Sequence, residues 1–308
     1  MTFDTQAAYE LLSAIEDLAV TKDAPLTKYN TYKSGGPARI LVRPKTKEQL
    51  AQIVALIYEH QWPYYLLGRG SNVLISDYGL DAVVICMKLF KGIHCHKKEN
   101  TVYAMAGEIL ATVIREAGKV PLAGLEKLGG IPGSIGGSLI MNAGAYGVEI
   151  GDNVIYVDGL NPDGSEFRMA KEDCGFVYRN APALREKIVT GALFRLDPGS
   201  YDRFLESQAS AVANSRARKQ PLHLPSCGSV FKNPAGMYAG ELIEKAGLKN
   251  RTIGEAQISV KHANFILNLS KAKSNDIYRL MRLAQQTVKE KFGVEMEPEV
   301  KLLGRFDD

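Results

Sequence analysis

Residues 129–147, GGIPGSIGGSLIMNAGAYG, set seven glycines and Pro132 around Asn142. Glycine forfeits backbone entropy in regular structure and proline removes a donor, so neither an ordinary helix nor a strand is expected here. Such a stretch suits close approach of bare backbone amides to something flat or anionic. A tight loop between packed layers would also use glycine. The density of seven, around the apolar Leu139, Ile140 and Met141, favours a cofactor cradle.

A second glycine turn lies upstream. The apolar run ending at Leu67 is followed by Gly68, Arg69, Gly70, Ser71 and Asn72, which can offer amides, a hydroxyl and a carboxamide to a pyrophosphate. It lacks the third glycine and the following helix of the Rossmann fingerprint, so a doubly wound nucleotide domain is not supported. Any dinucleotide must be held in another way.

The 308 residues suffice for two domains. A net charge of +4 is too small an excess to demand nucleic acid or a membrane surface, yet it suits an anionic small ligand. Cys86, Cys95, Cys174 and Cys227 show no paired spacing, which argues against a disulfide framework or zinc knuckle and for a reducing compartment. Asp4, Glu10, Glu16 and Asp17 exclude a signal peptide, and no apolar run approaches the roughly 20 residues of a membrane span. A cytoplasmic protein is expected.

Along the chain, residues 6–20 put Leu11, Leu12, Ile15 and Leu18 on one helical face. A strand over Ile40 to Val42 precedes a helix that starts at a Thr46/Gln49 capping box and runs through Glu59. Residues 101–118 read as strand then helix, with Ile109, Val113 and Ile114 inward. Asn161 to Gly164 form the turn of a hairpin, and residues 188–196 form a further strand, so this half is α+β. Near residue 199 the character changes to a polar helix ending in the basic run SRARKQP, and the domain boundary is placed there. Beyond it, a helix covers 240–246. A strongly periodic helix over 275–292 turns Ile277, Leu280, Met281, Ala284 and Val288 inward.

Several side chains can carry chemistry, each with a plainer reading. Ser229, in the turn SCGSVFKNP, is either a turn-capping hydroxyl or a proton donor that needs nearby charge, since an unaided hydroxyl is far too weak an acid. Lys232 and Asn233, with Arg216, Arg218 and Lys219 upstream, suit a diphosphate or simply a solvated face. Glu295, Glu297 and Glu299 alternate at period two; Glu299, before the apolar Val300 to Leu303 run, is the one best placed at a buried margin. Arg179 can present its fork to a carboxylate while Tyr178 covers a ring, or both can be a surface clamp. His94 and His96 make two ligands without a third, which argues against metal, and His262 reads as a satisfied interior histidine.

The ordered series NTYKSGGPA, LGRGSNVLISDYG, GLEKLGGIPGSIGGSLIMNAGAYG, FVYRN, PSCGSVFKNP, VKHANFILN and MEPEV resembles the bacterial UDP-N-acetylenolpyruvoylglucosamine reductases, the MurB family, over roughly residues 20–305. The resemblance implies an α+β fold with an FAD-binding domain of the vanillyl-alcohol oxidase (PCMH) type. That domain would span residues 1–199, in subdomains of about 20–88 and 89–199, followed by an α+β substrate-binding domain over 200–308. It also explains the missing Rossmann fingerprint.

The implied chemistry is that of an NADPH-dependent flavoprotein oxidoreductase of peptidoglycan precursor synthesis. Hydride passes from NADPH through bound FAD to C3 of UDP-N-acetylglucosamine enolpyruvate, and a proton reaches C2. Matched motif by motif, the resemblance gives Leu67, Gly68, Arg69, Gly70, Ser71 and Asn72, with Gly130, Ile131, Pro132, Gly133, Ser134, Gly136 and Gly137, to the FAD pyrophosphate. Asn142, Ala143, Gly144 and Ala145 fall near the flavin ring. Ser229 becomes the proton donor, Arg179 the carboxylate-polarising arginine and Glu299 the assisting glutamate. Tyr178, Lys219, Lys232 and Asn233 go to the UDP-sugar. No metal, nucleic acid or membrane partner is implied, and a monomer is expected.

Longer family members carry a loop whose tyrosine closes over substrate. Residues 179–195 leave no room for it, so this chain reads as the shorter type, and lid residues cannot be transferred. Cys227, two residues before Ser229, is chemically the more acidic donor, although the motif match selects Ser229. Two other readings remain open: a different FAD-dependent oxidase of the same fold, and a non-catalytic nucleotide-sugar or RNA binder using the 216–219 basic run.

Overall fold

The structure is a computed structural model describing residues 3–199 and 214–307. The chain forms two compact units, neither continuous in sequence. The first takes Met1–Lys22, Ile40–Arg69 and Ala82–Arg216, and the second takes Asp23–Arg39, Gly70–Asp81 and Ala217–Asp308.

The first unit contains the body of a four-stranded sheet in the order Ala19–Pro25, Pro37–Arg43, Leu80–Cys86, Tyr64–Leu67, the last two parallel. The helix Lys47–His60 begins where the capping box predicts. Thr46 Oγ accepts from the Gln49 amide at 3.2 Å, while Gln49 Oε1 accepts from the Lys45 amide at 2.8 Å. Its Leu50, Ile53, Val54 and Ile57 are buried at helical spacing, in one cluster with Ile40, Val42, Val83 and Ile85. A second, antiparallel sheet runs Glu166–Ala170, Val154–Leu160, Ile188–Arg195, Thr101–Met105, Ile93–His96. Its first two strands are the expected hairpin, closed by Gly164 N donating to Asn161 O at 2.9 Å.

Two local expectations are corrected. The first helix is Thr5–Ser13, not 6–20; it is capped by Asp4, and the chain passes through Asp17 at φ +55° into the strand Ala19–Pro25, so Leu18 is not on the helix. The glycine-rich stretch does contain a short helix, Ile135–Ile140. Its glycines have a packing reason, because a Cβ on Gly136 would meet Ala106 Cβ at 3.0 Å, while the Gly136 amide donates to Ala106 O at 2.9 Å. Tertiary contact outweighs the propensity cost of about 1 kcal/mol per glycine. The helix Leu110–Lys119 buries Leu110, Val113 and Ala117, with Ile109 as its N-cap and Ile114 partly buried.

In the second unit, the helix Ser274–Phe292 buries Ile277, Leu280, Met281, Ala284 and Val288, the face read from the sequence. It shares a core with Tyr32, Leu74, Phe231 and Ile266. The strands Val73–Ile75 and Lys301–Leu303 pair in parallel. Residues 215–219 of the basic run are helical, whereas most of the polar helix expected before them lies outside the described residues, as does the boundary region just after 199.

Candidate active site

In the first unit, the two glycine turns named for a pyrophosphate meet. A Cβ on Gly68 would lie 2.3 Å from Ser134 Oγ, and one on Gly137 would lie 3.4 Å from the same oxygen, so the Ser134 hydroxyl is flanked by bare backbone. Ser138 Oγ is buried without a hydrogen-bond partner, and a Cβ on Gly133 would come within 2.8 Å of it. Arg216 packs on the same loop, its Cδ 2.6 Å from where a Gly130 Cβ would be. Leu67 is buried at the end of its strand, and Ile131 and Pro132 are in the loop between Gly130 and Gly133. Close packing here requires glycine.

Asn142 is a structural hub. At 1% exposure and φ +41°, its Nδ2 donates to Glu149 Oε2 at 2.5 Å and to Val177 O at 3.2 Å, while its Oδ1 accepts from the Gly151 amide at 3.1 Å. Its carboxamide is therefore spent on holding three segments together. After the buried Ala143, residues Gly144–Ala145 pair with Val148–Glu149 across a turn in which Tyr146 (φ +55°) and Gly147 (φ +77°) are both left-handed. This leaves the Tyr146 ring half exposed at the tip.

Arg179 reaches the same hairpin: Nη1 lies 3.3 Å from where a Gly144 Cβ would sit. Tyr178 and Arg179 are the centre of a tight turn closed by Val177 N to Asn180 O at 2.9 Å and Asn180 N to Val177 O at 3.0 Å. Arg179 occupies its left-handed position at φ +55°, which favours glycine and costs a side-chain-bearing residue about 1 kcal/mol or more. A costly backbone conformation at a charged residue points to a functional constraint. Burial pulls the Arg216 guanidinium below its usual value; Tyr146 opposes the shift, and the like charge of Arg179 adds to it. Two guanidiniums within electrostatic reach of one another favour an anion. Sequence reading named Arg216 only as part of a basic run and passed over Tyr146, Glu149 and Ser138, whose roles come from distant contacts.

In the second unit, Gly70, Ser71 and Asn72 continue the first glycine turn. Ser229 is half-buried in a firmly held segment: Val230 N donates to Asn264 O at 2.9 Å, and Glu299 N donates to Val230 O at 2.8 Å. Asn264 also accepts from Phe231 N at 3.0 Å and donates to Phe231 O at 2.8 Å. The alternating glutamates separate as expected. Glu295 pairs with Lys289 and Glu297 with Lys232, each at 2.6 Å, whereas Glu299 is half-buried between Pro298 and the buried Val300. Lys232 thus carries a partner that an anionic ligand would have to displace. Asn233 Oδ1 accepts from the Ala239 amide at 3.1 Å at the start of the helix Ala239–Lys245, and Lys219 is exposed. His262 Nδ1 accepts from the Asn264 amide at 3.3 Å, and burial lowers its basicity.

Cys227, the other candidate donor of the 225–234 turn, is packed in the core of the second unit. Cys227 is 5% exposed, its Sγ donates to Val73 O at 3.1 Å, and burial pushes its thiol up to about 12. It is a packed, protonated thiol and no acid at neutral pH. The unfolded thiol ionises near its ordinary value of 9.0 while the folded one keeps its proton, so the unfolded state binds fewer protons between those values and stability falls as pH rises through that window. Urea midpoints measured at pH 8 and pH 10 are expected to show a loss that is smaller, by about 1 kcal/mol, in Cys227→Ser. Equal losses in the two proteins would contradict this placement of the thiol.

A cavity of about 350 Å³ in the first unit, lined by Asp158, Arg168 and Thr190 among others, includes none of the residues singled out above. Among the described residues no three His, Cys, Asp or Glu side chains gather to hold a metal, and no helix is long and apolar enough to cross a membrane.

Comparison with known proteins identifies this architecture. Residues 38–170 match the FAD binding domain family and residues 220–303 match the UDP-N-acetylenolpyruvoylglucosamine reductase C-terminal domain. The class is therefore an α+β FAD-binding fold joined to a reductase-specific C-terminal domain. The UDP-N-acetylenolpyruvoylglucosamine reductase of Limosilactobacillus reuteri subsp. reuteri is 41% identical over 96% of this chain and 99% of its own length. That of Clostridium botulinum is 40% identical over 94% of each. The crystal structure of the Thermus caldophilus UDP-N-acetylenolpyruvylglucosamine reductase (MurB) superposes with a TM-score of 0.79 at 32% identity, covering 93% of this chain and 99% of that one. The chain belongs to the UDP-N-acetylenolpyruvoylglucosamine reductase family.

The residues present fit FAD. Gly68 meets Ser134 without side-chain intervention, Ser138 keeps a buried hydroxyl with no protein partner, and Arg216 supplies a cation against Gly130. These are the groups a pyrophosphate needs, and a Cβ at Gly68 or Gly130 would force them apart.

Proposed function

We propose that this chain reduces UDP-N-acetylglucosamine enolpyruvate to UDP-N-acetylmuramate with NADPH, in peptidoglycan precursor synthesis. It acts as a cytoplasmic monomer on small molecules alone, without nucleic acid or membrane. The observation that carries this reading is the near full-length match to reductases of that name, spanning both an FAD domain and the family's own C-terminal domain. Bound FAD would supply the hydride relay between NADPH and C3 of the enolpyruvyl group.

The chain's own residues do the rest. Gly68 to Asn72 and Gly130 to Gly137 line the pyrophosphate, which takes the Ser134 and Ser138 hydroxyls, and Asn142 to Ala145 form the wall beside the ring. Hydride arriving at C3 builds negative charge over C2 and the substrate carboxylate, which the Arg179 guanidinium stabilises. Ser229 gives its hydroxyl proton to C2 and recovers one from solvent, and Glu299 assists at the carboxylate. Tyr178, Lys219, Lys232 and Asn233 bind the UDP-sugar, Lys232 exchanging its Glu297 partner for a phosphate. Along the sequence the cofactor domain is assigned to 1–199 and the substrate domain to 200–308, with Asp23–Arg39 and Gly70–Asp81 packed into the unit of the latter.

Purified protein reconstituted with FAD is expected to oxidise NADPH only when the enolpyruvyl UDP-sugar is present. Oxygen consumption with small alcohols and no affinity for the UDP-sugar would identify an oxidase. Salt-sensitive RNA binding without flavin would identify the non-catalytic alternative.

A further inference from the structure

Sequence reading gives the Asn72 carboxamide to a cofactor phosphate, but in the structure it is used differently. Asn72 Nδ2 donates to Glu299 O at 3.0 Å, although the two are 227 positions apart in sequence. Its backbone carbonyl accepts from Lys301 N at 3.0 Å, so Asn72 grips the 299–301 segment on both sides of Val300. Beyond it, Val73–Ile75 and Lys301–Leu303 pair in parallel, Lys301 opposite Val73.

Glu299 is held from the other side as well. Its amide donates to Val230 O at 2.8 Å, directly after Ser229, and Phe231 bridges Pro298. Both backbone polar groups of Glu299 are thus occupied, the amide by the Ser229 segment and the carbonyl by Asn72. With both ends of the peptide fixed, the direction in which the side chain leaves the backbone is fixed too. The Glu299 amide bond to Val230 is backbone to backbone and survives any substitution. The Asn72 bond to its carbonyl is made by a side chain and can be removed. The loop carrying Asn72 is itself anchored: Thr31 N donates to Gly70 O at 3.0 Å, and a Cβ on Gly70 would meet Tyr29 O at 2.3 Å.

We propose that Asn72 is a positioning residue for Glu299: by holding the Glu299 carbonyl while Val230 holds its amide, it sets how the carboxylate is presented to the substrate. This rests on the reading of Glu299 as a group acting on the enolpyruvyl sugar. The loop expected to meet the cofactor phosphates with its backbone then uses its carboxamide for the substrate side of the reaction.

The test uses FAD-loaded enzyme in anaerobic stopped flow, with Asn72→Ala and with Asn72→Asp, which keeps the side-chain size and lacks the donor. Reoxidation by the enolpyruvyl UDP-sugar is expected to slow ~10- to 100-fold, as misplacement of a reacting group by about 1 Å does. Flavin reduction by NADPH should stay within about twofold, because the NADPH half-reaction does not use Glu299. In a Glu299→Gln background the same Asn72 substitutions should cost less than about twofold, because two residues acting through one another are not additive. Equal cost in both backgrounds would reduce Asn72 to general structure and overturn the proposal. So would a FAD affinity, titrated on apoprotein by flavin fluorescence, that falls ~10-fold in Asn72→Ala while reoxidation of the loaded enzyme is unchanged, since the carboxamide would then serve the cofactor. A parent enzyme that the sugar cannot reoxidise would sink the function itself, which differs from a competent parent lacking the coupling.

Discussion

Replacing Ser229 by alanine is expected to slow flavin reoxidation by the enolpyruvyl UDP-sugar ~10²- to 10⁴-fold, the usual worth of a general acid, while flavin reduction by NADPH changes less than about twofold. The asymmetry follows from where the proton is needed. Hydride transfer from NADPH requires no proton at carbon, whereas hydride arrival at C3 leaves charge at C2 that only protonation removes. The substitution should be silent for folding. Ser229 is half-buried, and its segment is held by the Val230 amide on Asn264 and the Glu299 amide on Val230, bonds that do not involve its hydroxyl. Cys227 cannot stand in, since its thiol is buried, donates to Val73 O and stays protonated up to about pH 12. Rapid-mixing measurement of the two half-reactions checks this directly. An unchanged reoxidation rate would mean that another group delivers the proton.

The second large effect is at Arg179. Arg179→Ala and Arg179→Gly should both lower the reoxidation rate ~10²- to 10³-fold, because each removes a preorganised cation from developing charge. Their stabilities should differ. Alanine at φ +55° retains the left-handed penalty and glycine does not, so the glycine variant should be more stable than the alanine variant by about 1 kcal/mol in urea unfolding. Equal stabilities would argue that the turn rearranges when the guanidinium leaves. Similar activity in Arg179→Ala and wild type would remove Arg179 from the charge-stabilising role.

These residues were legible in unequal measure. The 274–292 helix, the 154–170 hairpin and the Thr46 capping box could be read because period, turn chemistry and cap are local signals. The helix within 135–140 could not, because what makes Gly136 acceptable there is Ala106, a neighbour only after folding. Nor does any local pattern announce that 23–39 and 70–81 pack with the C-terminal residues. At the site, motif order pointed to Arg179, Ser229 and Glu299, but the strain at Arg179, the desolvated Arg216 beside it and the Asn72 clamp on Glu299 are properties of contacts. Asn142 shows the difference most clearly. The family resemblance implied a flavin neighbour, and its carboxamide is spent on Glu149, Val177 and Gly151, so any part it has beside the ring falls to its backbone.

The most direct test of the account is an anaerobic absorption titration of the purified protein. The protein is expected to be yellow, or made yellow by added FAD, with a visible band that is bleached by one equivalent of NADPH and restored by one equivalent of UDP-N-acetylglucosamine enolpyruvate. A protein that takes up no FAD, or a bleached band that the UDP-sugar leaves unchanged, would contradict it.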